Sequence, residues 1–190
     1  SPSTKRVNIE FISANPTGPL TLANGRGGFF GDTLSRVLEH QGFEVEQEYY
    51  INDAGNQIQT LGNSILAAEG KIEDKEEYYH GGYIKEWAGR HEKEIEERRA
   101  LSLALGRFAA KDFLENFIRR SVKEKMGIKF DRWTSEHEDI LEKNYHKEVL
   151  KIFEKKSMVF ESEGAKWLKT TDFGDDKDRV LQTSEGHPTY

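Results

Sequence analysis

Cysteine is absent from the 190-residue sequence, so disulfide bonds and zinc–thiolate sites are excluded. That absence is compatible with a reducing cytoplasm. No apolar run approaches the about 18 residues that indicate a membrane-spanning helix, and residues 1–6 lack the apolar stretch of a signal peptide. Basic residues are also in deficit, because 28 lysines and arginines face 34 acidic residues, for a net charge of −6. This balance argues against a protein that coats nucleic acid, although a local basic patch stays compatible with it.

Charged residues make up 33% of the sequence, and their excess lies between residues 71 and 99. The length suits one α/β domain with a modest insertion. The charged block also carries Tyr78, Tyr79, Tyr83 and Trp87. It can be interpreted as a surface facing RNA or a partner, or as a solvated helical excursion held down by its own aromatic side chains.

The stretch from Val7 to Gly31 has the strongest local pattern. Apolar and polar residues alternate from Val7 to Phe11, which predicts a short strand. Prolines and Gly18 then break the strand, because proline lacks a donor and glycine reaches positive φ. A helical period follows over residues 25–40, with Phe30 among its apolar positions. A helix N-terminus beside an open loop predicts an anion site, and a nucleotide phosphate is the expected ligand.

A second alternating stretch over residues 43–51 completes a strand–helix–strand unit. Its two strands should be parallel, and ligands of such sheets bind beyond the carboxyl ends of the strands. This places residues 13–18 and 51–56 on one rim. Further helices are predicted over residues 57–69, 104–126 and 137–156, a strand over 128–133, and hairpins over 158–169 and 180–190.

Three segments together resemble the arginyl-tRNA synthetases, which are class I enzymes: residues 10–27, 49–57 and 171–181. The resemblance implies an α/β fold, the first half of a Rossmann-like nucleotide-binding domain with a mainly helical insertion. By this comparison residues 1–6 are a flexible lead-in and residues 7–69 open the catalytic domain. Residues 70–106 are the charged helical part of the insertion, and residues 107–190 complete the insertion and return to the catalytic domain. The second half of the fold, with its lysine-rich loop, and the anticodon-binding domain would follow Tyr190.

The sequence departs from the family at the ATP-binding signature, His-x-Gly-His, where it has Thr21-Leu22-Ala23-Asn24. A Thr-x-Gly-Asn form, which has Thr and Asn at the same two positions, resembles the signature of some tryptophanyl synthetases of the same class. The Thr21 hydroxyl and the Asn24 amide can still bond to phosphate or ribose oxygens. They cannot supply the charge-assisted bonds of an imidazolium, which are about twice as strong as neutral ones.

The resemblance also implies individual roles. Glu10 would bind the arginine guanidinium with two oxygens, although a strand glutamate can simply face solvent. Ser13 and Asn15 would contact the α-amino end, and Asn15 can also be a turn residue before proline. The remaining candidates are Tyr190 and Gln57 for arginine, Thr21 and Asn24 for catalysis, and Thr21, Asn24, Gly25 and Gly27 for ATP. Mg²⁺ would arrive with ATP, and no structural metal is expected.

The implied reaction joins arginine to tRNA(Arg) in two steps, through an arginyl-adenylate. No protein nucleophile is needed, so positioning and electrostatics carry the rate. This segment alone is expected to be inactive, and the altered motif leaves a second hypothesis: a synthetase-like protein that binds arginine or tRNA without catalysis. A cytoplasmic protein without membrane contact is expected, and the sequence leaves the oligomeric state open, with a monomeric parent as the expectation.

Overall fold

The computed structural model describes residues 5–189, so most of the predicted lead-in and Tyr190 lie outside the described residues. The chain divides into two compact units, one ending at His137 and one beginning at Glu138.

A parallel three-stranded sheet organises the first unit, in the order β1 (Arg6–Glu10), β2 (Glu44–Ile51) and β3 (Arg132–Ser135). The predicted strand–helix–strand unit is therefore confirmed. The third strand begins later than predicted, because the Ile128 N–H donates back to the Val122 carbonyl at the end of the preceding helix. Hydrogen bonding to β2 begins at Asp131, whose N–H donates to the Gln47 carbonyl.

The helix α1 (Leu22–His40) follows β1 and begins three residues earlier than predicted. The face that it buries consists of small residues, Gly28, Gly31 and Ser35. Glycine at these positions is required by contact, because a Cβ on Gly31 would lie 2.3 Å from Cγ of Phe11. The apolar side of the helix is exposed instead, with Phe30 73% and Val37 53% accessible.

Helices pack on one another to form the rest of the first unit: α2 (Asn56–Ala68), α3 (Gly82–Arg90), α4 (Glu92–Arg98) and α5 (Ser102–Phe113). The last of these continues as π-helical turns over Leu114–Arg119 and Ser121–Met126. The charged block is thus helical in part, and Trp87 is completely buried in the helical core. Helices α2 and α5 approach so closely that a Cβ on Gly62 would lie 1.8 Å from the Ser102 carbonyl oxygen.

An antiparallel sheet forms the second unit, in the order β4 (Val159–Ser162), β5 (Ala165–Leu168) and β6 (Arg179–Gln182). Its first hairpin is confirmed, and Glu163 and Gly164 turn it at φ 52° and 76°. The second predicted hairpin is short: Gln182 forms a bridge with Pro188, and the N–H groups of Thr183 and Thr189 donate to the His187 and Leu181 carbonyls.

The helix predicted over residues 137–156 is confirmed only in its second half, α6 (Tyr145–Lys155), and a π-helical segment, Glu136–Leu141, precedes it. Asn144 separates the two because its φ of 58° is left-handed. The apolar residues of this helix are not buried in the described chain, since Tyr145, Val149 and Ile152 are each about half exposed.

Candidate active site

The loop that follows β1 leaves the sheet through a strained backbone. Ile12 and Ser13 have φ angles of 65° and 37°, in the left-handed region that residues other than glycine rarely adopt. Such strain persists only where the surrounding structure imposes it, and it concentrates at functional sites. The strained residues lie at the carboxyl end of β1, on the rim where ligands of parallel sheets bind.

Three hydrogen bonds hold this loop against its surroundings. The Tyr50 N–H donates to Ser13 Oγ over 3.0 Å, the Tyr49 hydroxyl donates to the Ala14 carbonyl over 2.9 Å, and the Tyr83 hydroxyl donates to the Thr17 carbonyl over 3.0 Å. Ser13 keeps its own hydroxyl proton for a ligand, because it accepts in this contact. Sequence reasoning missed both tyrosine hydroxyls, although Tyr49 opens one of the family-like segments.

The carboxylates on the polar face of the sheet are held in different ways. Glu48, opposite Glu10 in the register, accepts hydrogen bonds from the Thr134 hydroxyl and from Asn8 Nδ2, the latter over 2.7 Å. The Thr134 bond is the main cause that lowers the pKa of Glu48, supported by Asn8 and Arg132. Glu10 is exposed at the strand end, and its carboxylate bonds to none of the described side chains.

A negative charge at Glu10 beside the charge of Glu48 favours a cationic guest, because like charges on facing strands repel. Because Glu48 is already bonded, Glu10 is the carboxylate of this pair that can offer both oxygens to a ligand. Asn15 is also exposed, and its carbonyl accepts from the Thr17 N–H over 2.8 Å. The predicted turn role of Asn15 is therefore present, and its side chain remains accessible at the rim.

Thr21 and Asn24 meet at the start of α1, where they form a capping box. Asn24 Oδ1 accepts from the Thr21 backbone N–H over 2.9 Å and from its hydroxyl over 2.7 Å, and the Asn24 N–H approaches Thr21 Oγ1 at 3.3 Å. The substituted motif thus has a structural role that the sequence analysis did not foresee. It fixes the helix N-terminus, whose dipole favours an anion.

The glycines of the first two turns of α1 divide by what surrounds them. A Cβ on Gly25 or Gly27 would meet no atom within 4 Å, so the helix is open there. A Cβ on Gly28 would lie 2.5 Å from Met126 Cε and 2.8 Å from Ile12 Cδ1, so these two side chains cover this glycine. The open positions are those predicted for ATP, and they leave room for a ligand to approach the backbone.

The ends of β2 and β3 complete the rim. The Asp53 carboxylate accepts from the Ser135 hydroxyl over 2.6 Å and from the His137 N–H over 2.9 Å, which ties the two strand ends together. Glu136 lies beside this contact, and burial, with the charge of Asp53, raises the pKa of its carboxyl. Gln57 donates to the Asn52 and Ala54 carbonyls over 2.8 and 3.3 Å, so its amide nitrogen organises the loop after β2.

Glu10, Ser13 and Asn15 thus lie at or just after the end of β1, Gln57 lies in the first turn of α2 after β2, and Thr21 and Asn24 lie at the start of α1. Tyr190, the other residue predicted for arginine, lies outside the described residues. Across residues 5–189 no three histidine or acidic side chains form a group suited to a metal ion. None of the helices described there has the length and apolar character needed to cross a bilayer.

The sequence matches the protein family described as tRNA synthetases class I (R), catalytic domain, over residues 1–190. It is 44% identical over 191 residues to the arginine–tRNA ligase of Frankia alni, covering 97% of this chain and 34% of that protein. It is 40% identical over 198 residues to the corresponding protein of Desulfosudis oleivorans, covering 98% of the chain and 35% of that protein. The chain spans about a third of the length of these curated relatives.

Solved structures agree with this match. An arginyl-tRNA synthetase of Campylobacter jejuni superposes with a TM-score of 0.84 at 34% identity, covering 99% of this chain and 42% of that one. The arginyl-tRNA synthetase of Thermus thermophilus gives a TM-score of 0.64 at 25% identity, covering 100% and 35%. These findings confirm both the resemblance and the α/β fold class that the sequence predicted.

Proposed function

The chain belongs to the family of class I tRNA synthetases of the arginine type, and on that premise we propose that it is part of an arginine–tRNA ligase. The observation that carries the proposal is the position of Glu10. Its carboxylate stands exposed at the end of β1, on the rim that also bears Ser13 and Asn15, while its neighbour Glu48 is bonded within the sheet. A planar guanidinium can pair with both oxygens of such a carboxylate through two parallel N–H···O bonds from two nitrogens, which the single nitrogen of an ammonium cannot reproduce.

The proposed reaction begins when the arginine carboxylate attacks the α-phosphorus of ATP, which forms arginyl-adenylate and releases pyrophosphate. A hydroxyl of the terminal adenosine of tRNA(Arg) then attacks the arginyl carbonyl and releases AMP. Glu10 binds the guanidinium, and Ser13, Asn15, Gln57 and Tyr190 line the arginine site. Because the chemistry uses no protein nucleophile, the contribution of these residues is to hold the reacting groups in place.

ATP binds in this proposal at the N-terminus of α1, where Gly25 and Gly27 leave the backbone open. Thr21 and Asn24 act twice, since their mutual bonds fix the helix end and their remaining donor and acceptor positions face the nucleotide. Magnesium would come with ATP and would supply charge neutralisation of the phosphates. The location proposed for the whole protein is the cytoplasm, without membrane contact.

A second function is favoured by one observation. The side chains of Thr21 and Asn24 bond to each other in the capping box, so part of their bonding capacity is used within the helix end. A protein with this motif can keep the arginine site of Glu10, Ser13 and Asn15 without forming adenylate. It would then bind arginine or tRNA as a sensor.

Exchange of labelled pyrophosphate into ATP by the full-length protein, with arginine and cognate tRNA supplied, separates the two functions. We expect exchange that depends on arginine. Asn24→Ala should lower the exchange rate about 10-fold or more, as expected from loss of a helix cap and a phosphate contact, while arginine affinity changes little. Arginine binding without any exchange would exclude the ligase and leave the sensor.

A further inference from the structure

One side chain of the charged insertion reaches the loop that carries the proposed arginine ligands. The Tyr83 hydroxyl, from the first turn of α3, donates to the Thr17 carbonyl over 3.0 Å. Its ring also covers Gly18, because a Cβ on that glycine would lie 2.9 Å from Tyr83 Cζ. Two different contacts therefore join this tyrosine to consecutive residues of the loop.

The Tyr83 side chain is held in place by the helical core. Its ring meets that of Phe113 edge to face, with centroids 5.7 Å apart, and it packs against the helical core. The Tyr83 hydroxyl is protonated and able to donate at neutral pH, because its ordinary pKa of 10.0 already lies well above neutrality and burial raises the pKa further. A side chain held in this way can resist movement of the loop, since core packing allows little displacement.

The contact lies within the turn that presents Asn15. The Thr17 N–H donates to the Asn15 carbonyl over 2.8 Å, while the Thr17 carbonyl receives the Tyr83 hydroxyl. The Tyr49 hydroxyl holds the preceding residue, Ala14, from the side of the sheet. The turn is thus anchored at one end by the sheet and at the other by the insertion.

We propose that Tyr83 is a positioning residue that sets the Asn15–Gly18 turn and couples the helical insertion to arginine binding. The inference rests on the proposed function for the identity of the ligand. It assigns the insertion a role at the site, where the sequence analysis offered only an RNA-facing surface or a solvated excursion.

Tyr83→Phe in the full-length protein tests the coupling, because it removes the hydroxyl and keeps the ring. We expect the KM for arginine in pyrophosphate exchange to rise about fivefold, the effect of one hydrogen bond. The KM for ATP should stay within about twofold, since the helix cap is untouched. Tyr79→Phe is the matched control, because the inter-element bond of Tyr79 uses its backbone N–H, which donates to Ser64 Oγ over 2.8 Å.

A second variant probes the ring contact. Gly18→Ala should displace Tyr83 and raise the KM for arginine as well, and its effect should be smaller in a Tyr83→Ala background, because the clash partner is gone. Additive effects of the two substitutions would overturn the proposal. So would equal arginine KM values for Tyr83→Phe and Tyr79→Phe.

Amide hydrogen exchange of the peptide covering residues 14–20 gives a readout that needs no catalysis. Tyr83→Phe should speed exchange there about fivefold relative to the wild type and to Tyr79→Phe, because the loop loses one anchor. If the wild type shows no arginine-dependent pyrophosphate exchange, the proposed function fails. Amide hydrogen exchange of this peptide then tests the role of Tyr83 by itself. Unchanged protection of the peptide would overturn the proposal.

Discussion

Helices α1 and α2 each follow a strand of the same parallel sheet, yet they bury opposite kinds of side chain. Helix α2 buries large apolar residues completely, among them Ile58, Leu61 and Ile65. Helix α1 buries Gly28, Gly31 and Ser35 and exposes its apolar positions. The difference shows that the apolar period of a helix predicts the helix itself but does not say which face the chain covers.

Close approach to β1 explains why α1 buries small residues. Glycine and serine let the helix axis come near β1 and the loop after it, so Phe11 contacts the helix at Gly31. The N-terminus of α1 is thereby brought to the rim that carries Glu10 and Ser13. Helix α2 also approaches a neighbour closely, at Gly62 against α5, but it buries large side chains as well, and these stabilise the helical core through the hydrophobic effect.

The largest expected effect comes from truncating equivalent apolar residues of the two helices. Ile65→Ala should lower the free energy of unfolding by about 4 kcal/mol, because it leaves a cavity in a fully packed core. Leu34→Ala on α1 should lower it by less than about 1 kcal/mol, since Leu34 is 38% exposed. Urea unfolding followed by circular dichroism measures both, and equal losses would break the contrast between the helices.

An intermediate effect should separate two glycines of α1 itself. Gly31→Ala should cost about 2 kcal/mol of stability through overpacking against Phe11. Gly27→Ala should be neutral or stabilise the helix by about 0.5 kcal/mol, because the added methyl meets no atom and alanine favours helices. The same substitution should weaken ATP binding, which isothermal titration of the full-length protein can measure. Unaltered ATP affinity in Gly27→Ala would place the nucleotide elsewhere.

The smallest effect concerns β2, the strand between the two helices. The lowered pKa of Glu48 means that its charged form stabilises the folded state. That contribution is fully present above its ordinary pKa of 4.5 and is lost as the pH falls through the lowered value. Wild type should therefore exceed Glu48→Gln in stability by about 1 kcal/mol at pH 6.

The difference between wild type and Glu48→Gln should shrink with further acidification, and thermal unfolding across pH 3–6 tests this behaviour. A difference that grows on acidification would have the wrong sign for this cause.

The sequence predicted the elements that depend on local pattern. Alternation in β1 and β2 and the loop between β1 and α1 were correctly inferred, and the strand–helix–strand order placed residues 13–18 and 51–56 at one edge of the sheet. It could not predict contacts between distant residues, such as the Tyr83 hydroxyl on Thr17 or the Asp53 carboxylate on Ser135. These pairs are 66 and 82 residues apart, and no local propensity encodes them.

Two errors have local causes. The apolar period predicts a start of α1 at Gly25, whereas the capping box of Thr21 and Asn24 begins the helix at Leu22. The helix predicted from residue 137 was too long because an asparagine in left-handed conformation, Asn144, interrupts it. All three residues are polar, and each uses a backbone or side-chain geometry that an apolar period does not record.

The central claim is that Glu10 receives the arginine guanidinium, and arginine titration of the full-length protein tests it most directly. Glu10→Gln should weaken arginine binding about 30-fold, as expected for a lost charged hydrogen-bonding pair. Glu46→Gln is the matched control, because Glu46 lies on the same face of the sheet and bonds to Asn8 over 3.1 Å. Its arginine affinity should remain within about twofold of the wild type. Equal affinities for all three proteins, or no arginine binding by the wild type, would contradict the claim.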